Sequence, residues 1–287
     1  MVDTSNQPVA EQQSSEPQYD WQNPNLKKFD FGRVMSRTFQ GALHCGKESW
    51  LPLLLWFGLP FLLFCVLGLA LGLSGFFEVF SSGGTDSERV ALIGLVIVGS
   101  VILAFGYIAI YIMLYIAISH NTYGFFSGSA PSFNESLRRG RLRFWTTIGA
   151  SLLAGIGIII GSIFFILPGI LLTLGWYLVM PILAMEDKSA VETLSRCWEM
   201  SRGSKRWVLL YIIVMLVVAL IIQSVFSIIT LPFAFDVKLY LIVSVLASIL
   251  SQAVNLTLTA AGGAAIYYEI RDVKEGAVQE TLSTVFD

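Results

Sequence analysis

Four arginines within six residues, Arg138, Arg139, Arg141 and Arg143, lead directly into Phe144 and Trp145. Arg202, Lys205 and Arg206 lead in the same way into Trp207. A basic cluster beside an interfacial aromatic can hold an anionic lipid headgroup, at about 1 kcal/mol per charge near a membrane surface. The same charges also set topology, which is the simpler role. They lie in the plane of the membrane, so nucleic acid is not an expected partner. Anionic phospholipids are.

Other chemistry has little to stand on. His44 and His120 are far apart, and no His, Cys or carboxylate spacing suits a metal. Cys45 and Cys197 fall in segments expected to be cytoplasmic and Cys65 falls within a span, so no disulfide is expected. Ser119-His120 lies at a span boundary, where a satisfied interfacial histidine is the plain expectation. Ionisable groups inside a membrane are costly and usually functional. Here Glu78, Glu186, Asp187 and Glu269 lie at span ends or beyond them. An ion-coupled transporter or an intramembrane protease would need such groups at depth. The expectation is a protein without enzymatic activity, cofactor or metal. The polar residues within spans are amides and hydroxyls, chiefly Gln223, Gln252 and Asn255. They either hydrogen-bond between helices or form an intramembrane polar seam that solvates a ligand headgroup.

The elements that must position these residues are apolar helices. The chain is 55% hydrophobic and 13% charged, with mean hydropathy +0.71; an average soluble domain carries about 25% charge. Residues 90–118 and 239–268 contain no charge at all. Six spans are expected, at about 50–73, 90–118, 145–167, 169–185, 207–231 and 239–268. The 18 Lys and Arg residues alternate around them. Lys27, Lys28, Arg33, Arg37 and Lys47 precede the first span, and only Arg89 separates it from the second. The two clusters above lie between spans two and three and between spans four and five, together with Lys188 and Arg196. None lies between spans three and four, Lys238 alone lies between five and six, and Arg271 and Lys274 follow. Cytoplasmic loops carry the positive excess. Both termini are therefore expected inside.

Each odd-numbered span follows a short segment of helical periodicity that ends at a Trp: Asp30–Ser49, Ser132–Phe144 and Ser189–Arg206. Their apolar faces read Phe31, Val34, Met35, Thr38, Ala42 and Cys45; Phe133, Leu137 and Phe144; and Val191, Leu194 and Trp198. Ser132…Glu135 and Ser189…Glu192 have capping-box spacing, and Asp30 suits an N-cap. The expected fold is an all-α membrane protein of six transmembrane helices as three hairpins, each preceded by a cytoplasmic interfacial amphipathic helix. This reads as a threefold internal repeat. Leu167-Pro168-Gly169 is the expected turn between spans three and four, and Asn255 and Gly262-Gly263 are expected bending points in span six. Ser151/Gly155 and Gly157/Gly161 permit close packing within the chain, or with a homo-oligomer or membrane partner protein. Residues 1–29 read as a disordered cytoplasmic tail, 30–271 as the membrane domain and 272–287 as a cytoplasmic tail.

The stretch Leu167–Trp207, with Pro168-Gly169, Trp176, Pro181, Glu186, the Ser189–Trp198 helix, Ser201-Arg202-Gly203 and Trp207, resembles a known membrane domain. It is the domain found N-terminal to some bacterial glycerophosphoryl diester phosphodiesterases and, alone, in YciC-like inner-membrane proteins. Ala265–Arg271 is similar to that family's closing segment, and Phe29–Leu55 matches loosely. The resemblance implies a multi-pass protein of the bacterial inner membrane and brings no defined activity. The phosphodiesterase barrel would need about 250 residues, and 16 follow Arg271. No phosphodiesterase activity is therefore expected of this chain. Three functions remain. The first is a non-enzymatic protein that organises membrane or scaffolds partners through interfacial helices and anionic lipid. The others are a transporter or channel for a lipid or other apolar molecule, and a membrane anchor for a separate phosphodiesterase.

Overall fold

The computed structural model describes residues 29–53, 58, 62, 86–129 and 131–286. Residues 1–28 and most of the expected first span lie outside the described residues. Eight α-helices follow in order among the described residues: α1 (Phe31–Leu53), α2 (Asp86–Phe126), α3 (Phe133–Phe164), α4 (Ile166–Trp176), α5 (Val179–Met185), α6 (Ala190–Ser201), α7 (Lys205–Thr230) and α8 (Val237–Phe286). A short 3-10 turn, Leu231–Phe233, follows α7, and no strand occurs among the described residues. Five segments are long and apolar enough to cross a membrane: Ile97–Phe126, Phe133–Phe164, Ile166–Met185, Lys205–Phe233 and Leu239–Gly276. Leu216, Leu220 and Ile228 of α7 all face outward. An apolar helix with so little buried surface belongs in lipid. The chain is an all-α, multi-pass membrane protein.

Among the described residues, the expected separation of interfacial helix from span holds before the span of α7 and fails before that of α3. α3 runs unbroken from Phe133 through Trp145 to Phe164. Nothing between Phe144 and Trp145 interrupts a helix, so its first turns extend the span along α2. There Ser136 meets His120 at 3.1 Å. α1 likewise passes Trp50 without a break. It packs along α8 instead of lying apart from it: Asp30 meets Glu269 near its start and Thr38 lies against Gly262. α6 is a discrete helix, separate from α7. The turn after it contains Gly203 at φ +84°, a left-handed conformation that favours glycine.

The turn between α3 and α4 is not Leu167-Pro168-Gly169. It falls on Phe165 alone, which is extended at φ −158° and ψ 142°. Pro168 sits in the first turn of α4, where its missing N–H removes no helical bond. The tip is wholly apolar, with Ile163, Phe164, Phe165, Ile166 and Leu167 all exposed. Gly157 and Gly161 receive Trp176 and Leu172 of α4, so this small-residue pair serves packing within the chain.

Pro181 explains the gap between α4 and α5. It lacks an N–H, and its ring conflicts with the carbonyl four residues earlier, that of Tyr177. The helix stops at Trp176 and restarts at Val179. The Ser201 hydroxyl donates to the Gly175 carbonyl at 3.2 Å, so α6 satisfies an acceptor beside the break.

α8 is also uninterrupted, against the expected bends at Asn255 and Gly262-Gly263, and it continues past Arg271 to Phe286. The two glycines serve close approach. A Cβ at 262 would lie 1.6 Å from the Tyr211 hydroxyl oxygen, and one at 263 would lie 2.5 Å from that of Tyr115. The main core forms around them. Leu178, Ile182 and Leu183 pack with Met200, Val208, Tyr211, Ile266 and Tyr267.

Candidate functional site: the charged end of the bundle

Charged side chains gather at one end of the bundle, where the end of α2, the starts of α1 and α3, the end of α5, α6 and the stretch 269–275 of α8 meet. Glu269 is its most buried member, with no exposure. It accepts from Arg37 Nη1 at 2.5 Å and from the Asp30 backbone N–H at 3.3 Å, and it lies 3.5 Å from Arg33 Nε. Arg33 and Arg37 are one turn apart on α1 and so reach the same carboxylate. Asp30 caps α1 by accepting from the N–H groups of Gly32 and Arg33.

A second cluster centres on Glu186, just past α5. It accepts from the Tyr267 hydroxyl at 2.8 Å and pairs with Arg196 and Lys188. Burial pushes its pKa up, but the Tyr267 hydrogen bond and the two cations outweigh burial and hold the carboxyl below its usual value. Arg196 also pairs with Glu275, which binds Arg271, and Arg271 donates to the Tyr123 hydroxyl at 2.9 Å. The chain of contacts thus joins α6 to α8 and α8 to α2.

The seven basic residues singled out by sequence divide by role. Arg139 donates to the Ala184 and Met185 carbonyls at 2.5 and 2.9 Å and approaches Asp187 at 3.5 Å. Arg143 pairs with Asp187 and donates to the Lys188 carbonyl. Arg139 therefore satisfies the last carbonyls of α5, which no intrahelical N–H can reach, and Arg143 holds the segment that follows. Arg138 and Arg141 are exposed on the other side of α3. Leu142 and Trp145, 74% and 78% exposed, share that face at helical spacing. Arg202 and Arg206 are exposed. Lys205 Nζ lies 3.6 Å above the Trp198 ring. Arg206 lies 5.7 Å from the ring of Trp207, which stacks on Phe29.

The polar seam is not gathered into one site. Ser251 reaches Gln223 Oε1 at 3.5 Å, joining α7 to α8. Gln252 is exposed and Asn255 half-buried. An apolar groove of about 590 Å³ between α1 and α8 is lined instead by Phe39, Leu43, Val254, Thr257 and Leu258 among others.

The outer face of α6 differs from its sequence reading. Thr193, Cys197, Met200 and Ser201 are buried, whereas Val191 is 68% exposed. Packing of α6 against α3, α4 and α5 turns Thr193, Cys197 and Met200 inward. The Ser189–Glu192 capping box forms in full, at 3.4 and 2.9 Å. At Ser132 the hydroxyl accepts from the Glu135 N–H at 3.3 Å. Burial pushes the Cys197 thiol well above its usual pKa, so it is no nucleophile at neutral pH.

Sequence reasoning overlooked two groups, Glu269 with Arg33 and Arg37, and Arg271 with Glu275 and Tyr123. The available signal was the lone acid after the uncharged run 239–268, together with Arg33 and Arg37 spaced four apart. Comparisons with protein-family models, curated proteins and solved structures return no match.

Proposed function

We propose that this is a non-enzymatic protein of the bacterial inner membrane, both termini inside, that organises membrane or scaffolds partners by holding anionic phospholipid at its charged end. The observation that carries this reading is the exposed face of α3. Arg138 and Arg141 sit two turns and one turn before Trp145, and Leu142 lies between Arg141 and Trp145 on the same exposed face. Cations at headgroup height and an indole with an aliphatic side chain below suit an interfacial lipid. Arg139 and Arg143 are engaged with backbone carbonyls, so the lipid test leaves them in place. Replacing Arg138 and Arg141 by Gln removes about 2 kcal/mol of surface attraction, roughly thirtyfold in affinity. Native mass spectrometry after gentle extraction should then show less bound phosphatidylglycerol. Unchanged lipid content in a correctly inserted variant overturns the reading.

A second reading, movement of a lipid or another apolar molecule, draws on the groove between α1 and α8. The interrupted α4–α5 segment also favours it, because broken membrane helices often border substrate paths. Transfer of fluorescent lipid between the leaflets of proteoliposomes tests it. A rate equal to that of protein-free vesicles overturns it.

A further inference from the structure

We infer that a cleft at the charged end, enclosed by α2, α3 and α8, is a binding site for a phosphate group. The inference deepens the lipid reading, because a phospholipid headgroup is one of two sources of that chemistry; a soluble phosphate ester is the other. The cleft encloses about 370 Å³ and is lined by His120, Tyr123, Ser127, Glu135, Arg139 and Arg271 among others. Two guanidinium groups reach it from different helices. The contacts of Arg139 with Ala184, Met185 and Asp187 use Nε and Nη2. Those of Arg271 with Glu275 and Tyr123 use Nε and Nη1. Each guanidinium keeps donors on its remaining Nη among the described contacts.

The neutral groups point the same way. The Tyr123 oxygen accepts from Arg271, which leaves the hydroxyl proton to donate elsewhere. His120 Nδ1 is engaged by Ser136, which leaves Nε2. The carboxylate lining the cleft is Glu135, exposed in the first turn of α3, and Glu275, which pairs with Arg271 and Arg196, is not among the lining residues. A cleft rich in donors and flanked by two fixed cations suits an anion with several acceptor oxygens. Planar guanidinium groups match phosphate in this respect.

The test uses the full chain in two arms. In phosphatidylcholine nanodiscs it is titrated calorimetrically with inorganic phosphate. From nanodiscs of mixed phosphatidylglycerol and phosphatidylcholine, retained phosphatidylglycerol is measured by native mass spectrometry. Two cleft variants are compared with wild type. Arg271→Gln removes a cation, and Ser127→Leu crowds the cleft while keeping both arginines. Phosphate binding that weakens about tenfold in both variants, the size of one charge-assisted contact, supports a soluble phosphate ester. Failure of phosphate to bind, with phosphatidylglycerol retention lowered in both variants, supports a lipid headgroup. Binding and retention equal to wild type in both cleft variants overturn the site. The Arg138→Gln/Arg141→Gln protein is a separate control: if it alone retains lipid normally, the exposed-face reading falls and the cleft stands.

Discussion

Glu269 and Tyr211 represent opposite cases of a buried polar group. Glu269 has two cations and a backbone N–H, so its charge is compensated. Glu269→Gln should leave Arg33 and Arg37 facing a neutral amide and lower stability by about 3 kcal/mol, as for other broken buried pairs. Thermal unfolding in detergent measures this. Among the described residues the Tyr211 hydroxyl is buried with no well-formed hydrogen bond, lying beside Thr38 and packed against Gly262. Tyr211→Phe should therefore be neutral or slightly stabilising. Gly262→Ala should cost about 1–3 kcal/mol through overpacking, and the double variant should recover much of that loss. The pH dependence belongs to Glu186. Its folded-state pKa is depressed, so its contribution is complete above the ordinary carboxylate value and is lost as pH falls through the folded one. Melting temperature followed below pH ~4.5 should fall less steeply in Glu186→Gln than in wild type. These residues were poorly legible in advance. A sequence shows that Glu269 follows an apolar run, but not that Arg33, more than two hundred positions away, comes to meet it.

At the scale of elements, propensity and tertiary contact divide the outcome. Caps were legible because they are local: Asp30 and Ser189 start helices by bonding residues two or three positions on. Breaks were not legible: the span 169–185 was expected to be continuous, and the turn was expected at Leu167-Pro168-Gly169. Pro181 ends α4, but Pro168 three residues into that helix does not. The two proline settings look alike in sequence and differ only in whether a helical N–H is needed. Helix faces were least certain where an element packs on both sides. α1 buries Val34, Thr38 and Cys45 as its periodicity requires, whereas α6 turns Val191 outward and Cys197 in. The contact between Ser201 and Gly175 spans the break, so Ser201→Ala should cost about 1–2 kcal/mol by orphaning a buried carbonyl. Hydrogen exchange should then quicken at the ends of α4 and α5 before the rest of the bundle.

For the whole molecule, charge partition was the most legible feature, and it recurs as a bundle with one charged end. Arg33, Arg37, Arg139, Arg196, Arg271 and Lys274 each bind another helix there, so these charges do more than orient the chain. Orientation remains a prediction with a direct check. In a background with Cys45, Cys65 and Cys197 replaced by Ala, Ser195→Cys should react with an impermeant maleimide only in inverted vesicles. Ala234→Cys should react only in intact spheroplasts. The opposite pattern overturns the inside placement of both termini.

The turn at Phe165 bears on how such a chain is made. Between Arg143 and Glu186 there is no charged residue, and the tip that joins α3 to α4 is apolar on every side. A hairpin of this kind carries no hydrophilic cargo. Its two arms can partition from the translocon into the bilayer together, with nothing polar to drag across the hydrocarbon. Placing Lys at Phe165 would burden that passage, and a glycosylation-mapping assay would record how many copies then fail to insert.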